Sequence, residues 1–152
     1  MKTTTKIFGV LFSVAMLVAC SGSESEMLKQ ARTIQEAMMK SKSELDSSLA
    51  ARLNAYSEEV TLLSQDAELA TDSVKMANYD EIKSAYSDLE MLKAELNDWT
   101  MNVKMLPSAE EIAGGAENPF GGDMKDEDIL KEIKASQEKF EDLKSRIETE
   151  IQ

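Results

Sequence analysis

Residues 82–106 read IKSAYSDLEMLKAELNDWTMNVKML. Apolar side chains recur in this segment at alternating steps of three and four residues, which is the period of one face of an α-helix. The stripe consists of Ile82, Ala85, Leu89, Leu92, Leu96, Trp99, Val103 and Leu106. Pro107 follows, and proline cannot continue a helix because it lacks an N–H and clashes with the preceding turn. The segment therefore predicts an amphipathic helix over residues 80–106.

The residues before this helix carry the same period. From Met27 to Leu106 there is neither glycine nor proline, and most residues are strong helix formers. The step from Leu45 to Tyr56 takes eleven residues, a stutter that locally unwinds a supercoil. Residues that favour helix caps occur at 71–73 and again at 78–80. We place the turn at 77–80, which predicts a first helix over residues 27–77.

A third helix is predicted at the end of the chain, over residues 126–151. Its apolar stripe uses Ile129, Ile133, Phe140, Leu143, Ile147 and Ile151. Three acidic residues at 126–128 suit the positive end of its dipole. The connection 107–125 is glycine-rich, and within it Ser108 and Glu111 have the spacing of a capping box, so they predict one short helical turn that Gly114 ends.

These elements predict an all-α fold. A first helix of about 50 residues would span roughly 75 Å, whereas each of its partners would span less than about 40 Å. One arrangement is a three-helix bundle, or an extended coiled-coil hairpin, in which the first half of helix one projects as an uncovered stalk. The alternative is a fold-back near residues 46–48, which gives a four-helix bundle.

The start of the chain has the features of a secretory signal. Lys2 and Lys6 precede an apolar run, residues 7–19, that is too short for a permanent membrane helix and ends in small residues. The quartet from Leu17 to Cys20 resembles the bacterial lipobox. The resemblance implies that residues 1–19 are removed, that Cys20 receives diacylglycerol and an amine-linked acyl group, and that residues 20–26 form a lipidated acidic tether.

The location of the protein follows from that anchor. Three acyl chains hold a protein on a membrane far more firmly than one chain does. Ser21 stands where an aspartate would signal inner-membrane retention, so the resemblance implies the outer membrane, with the protein facing the periplasm. Residues 23–26 are a weak version of an acidic signal for surface export, so cell-surface exposure stays open. The other readings of Cys20 are a reduced thiol or an intermolecular disulfide.

Charge narrows the choice of partners. The formal net charge is −12, and removal of Lys2 and Lys6 with the signal makes it −14. This charge argues against nucleic acid as a partner, because binding it depends on clustered lysine and arginine. Anionic lipid headgroups would also repel the chain, so the acyl chains on Cys20 must carry the attachment to the membrane.

The residue types of enzymes and metal centres are scarce. The chain has no histidine, and its single cysteine is assigned to lipid, which removes the usual transition-metal sites and the Ser/His and Cys/His nucleophiles. We interpret the acidic runs 58–59, 110–111 and 126–128 as solvated helix faces, because no apolar pocket is evident that would separate their pKa values as an acid/base pair requires. We therefore predict a protein that is not an enzyme and has no cofactor.

Two further groups of residues have alternative interpretations. Eight methionines follow the signal, and Met101 and Met105 stand one predicted helical turn apart. Thioethers can bind Cu(I), but several of these methionines lie on or beside the predicted apolar stripes, so gap-filling in the helical core is the favoured interpretation. Phe120 lies among glycines in the connection 107–125. It could contact a partner protein, or it could hold its own loop against the bundle.

One family resemblance concerns the helices themselves. The segments 96–101 (LNDWTM), 27–45 and 140–151 resemble small bacterial helical lipoproteins that are often labelled "viral A-type inclusion protein" homologues. Where that group has Asp-Trp-Met, this chain has Thr100 between the tryptophan and Met101. The resemblance implies a lipid-anchored helical hairpin or bundle, and the family has no established activity.

Several functions remain in competition. The leading hypothesis is an envelope lipoprotein that uses its helical surface as a structural or protein-interaction module. Self-association through an uncovered first half of helix one, which would expose Met27, Ile34 and Met38, is a variant of it. A tether joined to peptidoglycan would need a C-terminal lysine, and the chain ends in Gln152. A periplasmic carrier would hold its ligand between the helices.

Overall fold

The computed structural model describes residues 24–152. Its helices are α1 (Glu26–Ser64), α2 (Ser73–Asn102), the short α3 (Ala109–Ala113) and α4 (Asp126–Ile151). Within the described residues there is no strand, and α1, α2 and α4 each pack against the other two. The predicted all-α class is therefore confirmed, and the arrangement is a three-helix bundle. Helix α1 passes through residues 46–48 without a break, so the four-helix alternative with a fold-back there is wrong.

The turn between the first two helices lies earlier than predicted. Helix α1 ends at Ser64, and the chain turns over residues 65–72. Asp72 then caps α2, because its carboxylate accepts hydrogen bonds from the N–H groups of Val74 and Lys75, at 2.9 and 3.2 Å. The predicted turn at 77–80 is wrong, since those residues lie inside α2. The predicted first helix over 27–77 is correspondingly too long.

The far end of α2 also differs from the prediction. The helix ends at Asn102 instead of residue 106, and the N–H of Val103 donates to the carbonyl of Trp99. The side chains of Val103 and Leu106 still pack against the core from outside the helix. Both side chains therefore belong to the apolar face, as predicted, although the backbone at these positions is no longer helical.

Helix α4 spans residues 126–151, the range that the sequence predicts, and it determines the shape of the molecule. It has 26 residues and α1 has 39, so their lengths are about 39 and 58 Å. The last residues of α4 lie beside Ser48 of α1 and Asp88 of α2. Beyond that level only α1 and α2 remain, and we call residues 53–84 the distal hairpin.

The uncovered part of α1 is thus its second half, and the predicted stalk formed by the first half is wrong. Ala31 and Met38, both in the first half, are buried in the bundle. The cause is the position of the turn. Because the chain turns about ten residues earlier than expected, α2 reaches back along the first half of α1, where Gln35 donates to the carbonyl of Lys104. Helix α4 then packs on the same half.

One continuous cluster of apolar side chains fills the three-helix part. Its fully buried large members are Phe140, Met38, Leu49, Leu89, Leu96, Ile133 and Ile147. The rings of Trp99 and Phe140 lie 4.9 Å apart between centroids, and the indole N–H donates to the carbonyl of Ser136 at 3.2 Å. This pair joins α2 to α4 at the centre of the core.

The connection between α2 and α4 contains the predicted short turn. The Ser108 hydroxyl accepts a hydrogen bond from the Glu111 N–H at 3.2 Å, and the Glu111 carboxylate accepts one from the Ser108 N–H at 2.6 Å. This is the expected capping box of α3, and Gly114 directly follows the helix. Gly115 then takes a left-handed backbone conformation with φ +90°, which suits glycine.

Candidate functional site

The predicted lipidation site, Cys20, lies outside the described residues. The nearest described part is the start of α1, where the Ser25 hydroxyl accepts a hydrogen bond from the Leu28 N–H. Arg32 bonds the carboxylate of Glu24 and donates to the carbonyl of Pro107. The first residues of α1 are thereby fastened to the chain that leaves α2, so an anchor attached upstream would join the bundle at its three-helix end.

Within the described residues, no helix is both long enough and apolar enough to cross a membrane.

Phe120 is not an exposed partner contact. Its side chain is only 8% exposed and belongs to the core cluster. The Asn118 side chain accepts a hydrogen bond from the Phe120 N–H, Gly121 follows with φ +79°, and the Lys104 ammonium lies 5.7 Å from the ring centroid. The ring therefore holds its own loop against the bundle, which is the other interpretation that the sequence left open.

The methionines do not form the core that the sequence favoured. Met38 is buried and Met124 packs at the edge of the cluster, but others are exposed: Met27, Met39, Met76, Met91 and Met101. Met101 and Met105 are not one helical turn apart either, because α2 ends between them at Asn102. The prediction that Met101 and Met105 stand one helical turn apart, as paired thioether ligands would, is therefore wrong.

Among the acidic residues considered for acid/base chemistry, Glu111 serves the capping box of α3. Hydrogen bonds from the N–H and hydroxyl of Ser108 hold the pKa of Glu111 below its usual value. A general acid needs the opposite shift. Among residues 24–152 there is also no group of three or more acidic, cysteine or histidine side chains that could hold a metal ion.

A groove of about 980 Å³ lies between α2 and α4. Its floor is formed by the buried side chains of Trp99 and Leu143 together with Val103, which is half-buried. Ala94 on α2 and Ala135 on α4 line it as well, and both are exposed. Because these two side chains are small, they leave the space above the floor open. We call this feature the α2/α4 groove.

The rim of the α2/α4 groove is predominantly acidic. Four carboxylates line it, namely Glu95, Asp98, Glu138 and Asp142, beside two cationic side chains, Lys139 and Arg146. One of the two cations is already engaged, since Arg146 donates to both carboxylate oxygens of Glu95 at 2.7 and 3.0 Å. These hydrogen bonds lower the pKa of Glu95. The rim thus carries excess negative charge over an apolar floor.

The groove continues past this ion pair. A second depression of about 350 Å³ shares Glu95 and Arg146 with it and extends to Asp88 on α2 and Glu150 on α4. The combined surface follows α4 from Ala135 to Glu150, a rise of about 22 Å. An opening of this shape can receive an elongated segment of another molecule.

Part of this site is predictable from the sequence. Trp99 belongs to the predicted apolar stripe, and its indole N–H donates to the carbonyl of Ser136. The groove itself was missed, because Ala94 and Ala135 lie outside the apolar stripes. Only the packing of α2 against α4 shows that the two alanines line one surface.

Comparisons with protein-family models, with curated proteins and with solved structures found no match to this chain.

Proposed function

We propose that this protein is a bacterial envelope lipoprotein, held on the outer membrane by lipid on Cys20, that binds another protein through the α2/α4 groove and has no catalytic activity. The observation that carries the binding role is the groove itself, with its buried apolar floor and open acidic rim. The anchor rests on the lipobox resemblance of residues 17–20.

The geometry of the bundle is compatible with an anchor at the start of the chain and a binding role for the α2/α4 groove. The start of α1 lies at the three-helix end, where Arg32 fastens Glu24 to the carbonyl of Pro107. The groove belongs to the same three-helix part, while the distal hairpin extends away from it. An anchor upstream of Glu24 would therefore hold the groove on the membrane side and direct the hairpin outward. The acidic body would not adhere to anionic headgroups.

The openness of the groove favours a protein segment over an enclosed small ligand, so we do not extend the carrier hypothesis. Self-association through the first half of α1 also loses its basis. Met38 is buried there and Ile34 packs against the core cluster, although Met27 is 45% exposed. Most of the surface that was expected to dimerise is covered by α2 and α4.

Site-specific photo-crosslinking in the bacterium that makes the protein tests the proposal. The probe residue replaces Ala135 in the groove or, as a matched control, Ala51, an exposed alanine on α1 outside the groove. We expect the Ala135 probe to capture one protein in the membrane fraction and the Ala51 probe to capture none at a comparable yield. Equal yields at the two positions would contradict the proposed function.

A parallel experiment addresses the anchor. Metabolic labelling with a palmitate analogue should mark the wild-type chain, and Cys20→Ala should abolish the label. A labelled Cys20→Ala variant would show that the lipid is attached elsewhere.

A further inference from the structure

We infer that the segment that docks in the α2/α4 groove is a cationic amphipathic helix of about four turns, contributed by a different protein. This inference rests on the proposed function and specifies the chemistry of the partner. It follows from the shape of the groove, from its length and from the charge along its rim.

The shape of the groove favours a helix. Both walls are helices, and side chains on adjacent helices form ridges and grooves into which a further helix packs. Within residues 24–152 there is no strand whose edge could pair with an extended peptide. A helix satisfies its own backbone hydrogen bonds, so it needs only an apolar stripe to contact Trp99, Val103 and Leu143.

The length of the groove sets the length of the helix. The surface from Ala135 to Glu150 extends for about 22 Å, which corresponds to about 15 residues of a partner helix. At that length three or four apolar side chains, spaced by three and four residues, would face the floor. Alanine at positions 94 and 135 leaves room for larger side chains of the partner.

The acidic rim favours a partner segment of positive net charge. Asp98, Glu138 and Asp142 line the groove beside Lys139, and Asp142 lies 3.9 Å from Arg146. Beyond the Glu95–Arg146 pair Asp88 and Glu150 add two more carboxylates, so carboxylates outnumber cationic side chains along the combined surface. Lysine or arginine residues flanking the apolar stripe of the partner would meet these groups. Complementary charge of this kind steers association and excludes acidic competitors. A second copy of this chain, with its net charge of −12 before processing, would bring acidic helices to an acidic rim.

The test uses the crosslinked product from the Ala135 probe in the full-length, lipidated protein. Mass spectrometry of the crosslinked peptide should identify a segment of net positive charge with apolar residues at helical spacing. An acidic segment, a segment without that spacing, or a peptide from a second copy of this chain would overturn the inference. The proposed function would still stand if the captured segment belonged to another protein.

Charge reversal provides the second arm. The double variant Glu138→Lys/Asp142→Lys removes two rim carboxylates, and Glu58→Lys/Glu59→Lys makes the same change in net charge at exposed positions of the distal hairpin. We expect the rim variant to reduce the crosslinking yield about tenfold and the hairpin variant to leave it unchanged. Glu138→Gln/Asp142→Asn, which preserves size, should reduce the yield to a smaller extent.

The outcomes separate the two claims. A groove crosslink whose yield is the same in the rim and hairpin variants contradicts the cationic partner but supports a binding groove. An Ala135 probe that captures nothing above the Ala51 control contradicts the proposed function and, with it, this inference.

Discussion

The two halves of the α1/α2 pair differ in how completely they bury their apolar side chains. In the three-helix part, Leu49 and Leu89 are at most 1% exposed. In the distal hairpin the buried apolar side chains are Leu53 and Ile82, at 7 and 8% exposure, while Leu62 and Val74 are 70 and 76% exposed. In the distal hairpin, each of the two helices covers only one side of the other's apolar stripe. In the three-helix part, α4 covers the side that is left. The bundle's stability should therefore be concentrated where α4 reaches.

The largest expected effect is in the centre of the three-helix part. Phe140 is fully buried and contacts Trp99. Replacing it with alanine removes most of that contact and leaves a cavity, so we expect Phe140→Ala to lower the free energy of unfolding by about 3–5 kcal/mol. Urea unfolding followed by circular dichroism measures this change. A loss of less than about 1 kcal/mol would mean that the ring is not a core residue.

A pair of identical substitutions compares the two regions directly. Ile147 in α4 is fully buried, whereas Ile82 lies in the distal hairpin at 8% exposure. We expect Ile147→Ala to cost about 2–4 kcal/mol and Ile82→Ala about 1 kcal/mol, because the hairpin site can collapse toward solvent. The same unfolding assay gives both values. Equal costs would contradict the difference in packing between the regions.

A helix cap gives a smaller and more local effect. Asp72 accepts hydrogen bonds from two N–H groups at the start of α2. Asp72→Ala should cost the local structure about 1 kcal/mol. We expect faster hydrogen exchange over residues 73–78 and little change in the three-helix part. Asp80→Ala, at an exposed position inside α2, serves as the control and should leave exchange at 73–78 unaltered.

The smallest effects should come from two ion pairs, one in each region. The Arg146 guanidinium lowers the pKa of Glu95 in the three-helix part, and the Lys75 ammonium lowers the pKa of Asp66 at the turn of the hairpin. Each lowered pKa stabilises the fold above the unfolded-state pKa, and this stabilisation is lost as the pH falls through the folded-state pKa. The Glu95–Arg146 pair is exposed and the Asp66–Lys75 pair is about one-third exposed, so solvent and salt screen both pairs and the contributions are small.

Their pH dependence distinguishes the regions. Glu95→Gln should weaken the fall in urea midpoint as the pH is lowered through the acidic range, because one linked carboxylate is gone. Asp66→Asn should leave the global midpoint unchanged and alter only hydrogen exchange near residues 65–75. A steeper acid dependence in Glu95→Gln would contradict the direction of the pKa shift.

The sequence predicted the helices well because the apolar period, the capping box at Ser108 and the acidic first turn of α4 are local signals. The turn after α1 was misplaced because cap-forming residues occur both at 71–73 and at 78–80. Capping propensity alone does not determine at which of these two positions α2 begins. The choice depends on how α2 and α4 pack along the first half of α1, which a single apolar stripe does not specify.

The site was harder to predict for a related reason. Met39 and Met91 each lie next to a buried residue in sequence, but one residue is a rotation of about 100° around a helix, and both side chains are exposed. The α2/α4 groove likewise depends on Ala94 and Ala135, which belong to different helices and to neither apolar stripe. Lipidation of Cys20 stays a prediction, because that residue lies outside the described part of the chain.

Lipid anchoring is tested most directly by the mass of the N-terminal peptide of the native protein, extracted with detergent from the membranes of the bacterium that makes it. We expect a peptide that begins at Cys20 and carries the mass of a diacylglycerol and one amine-linked acyl chain. A peptide that begins at Met1, or one with an unmodified Cys20, would contradict it.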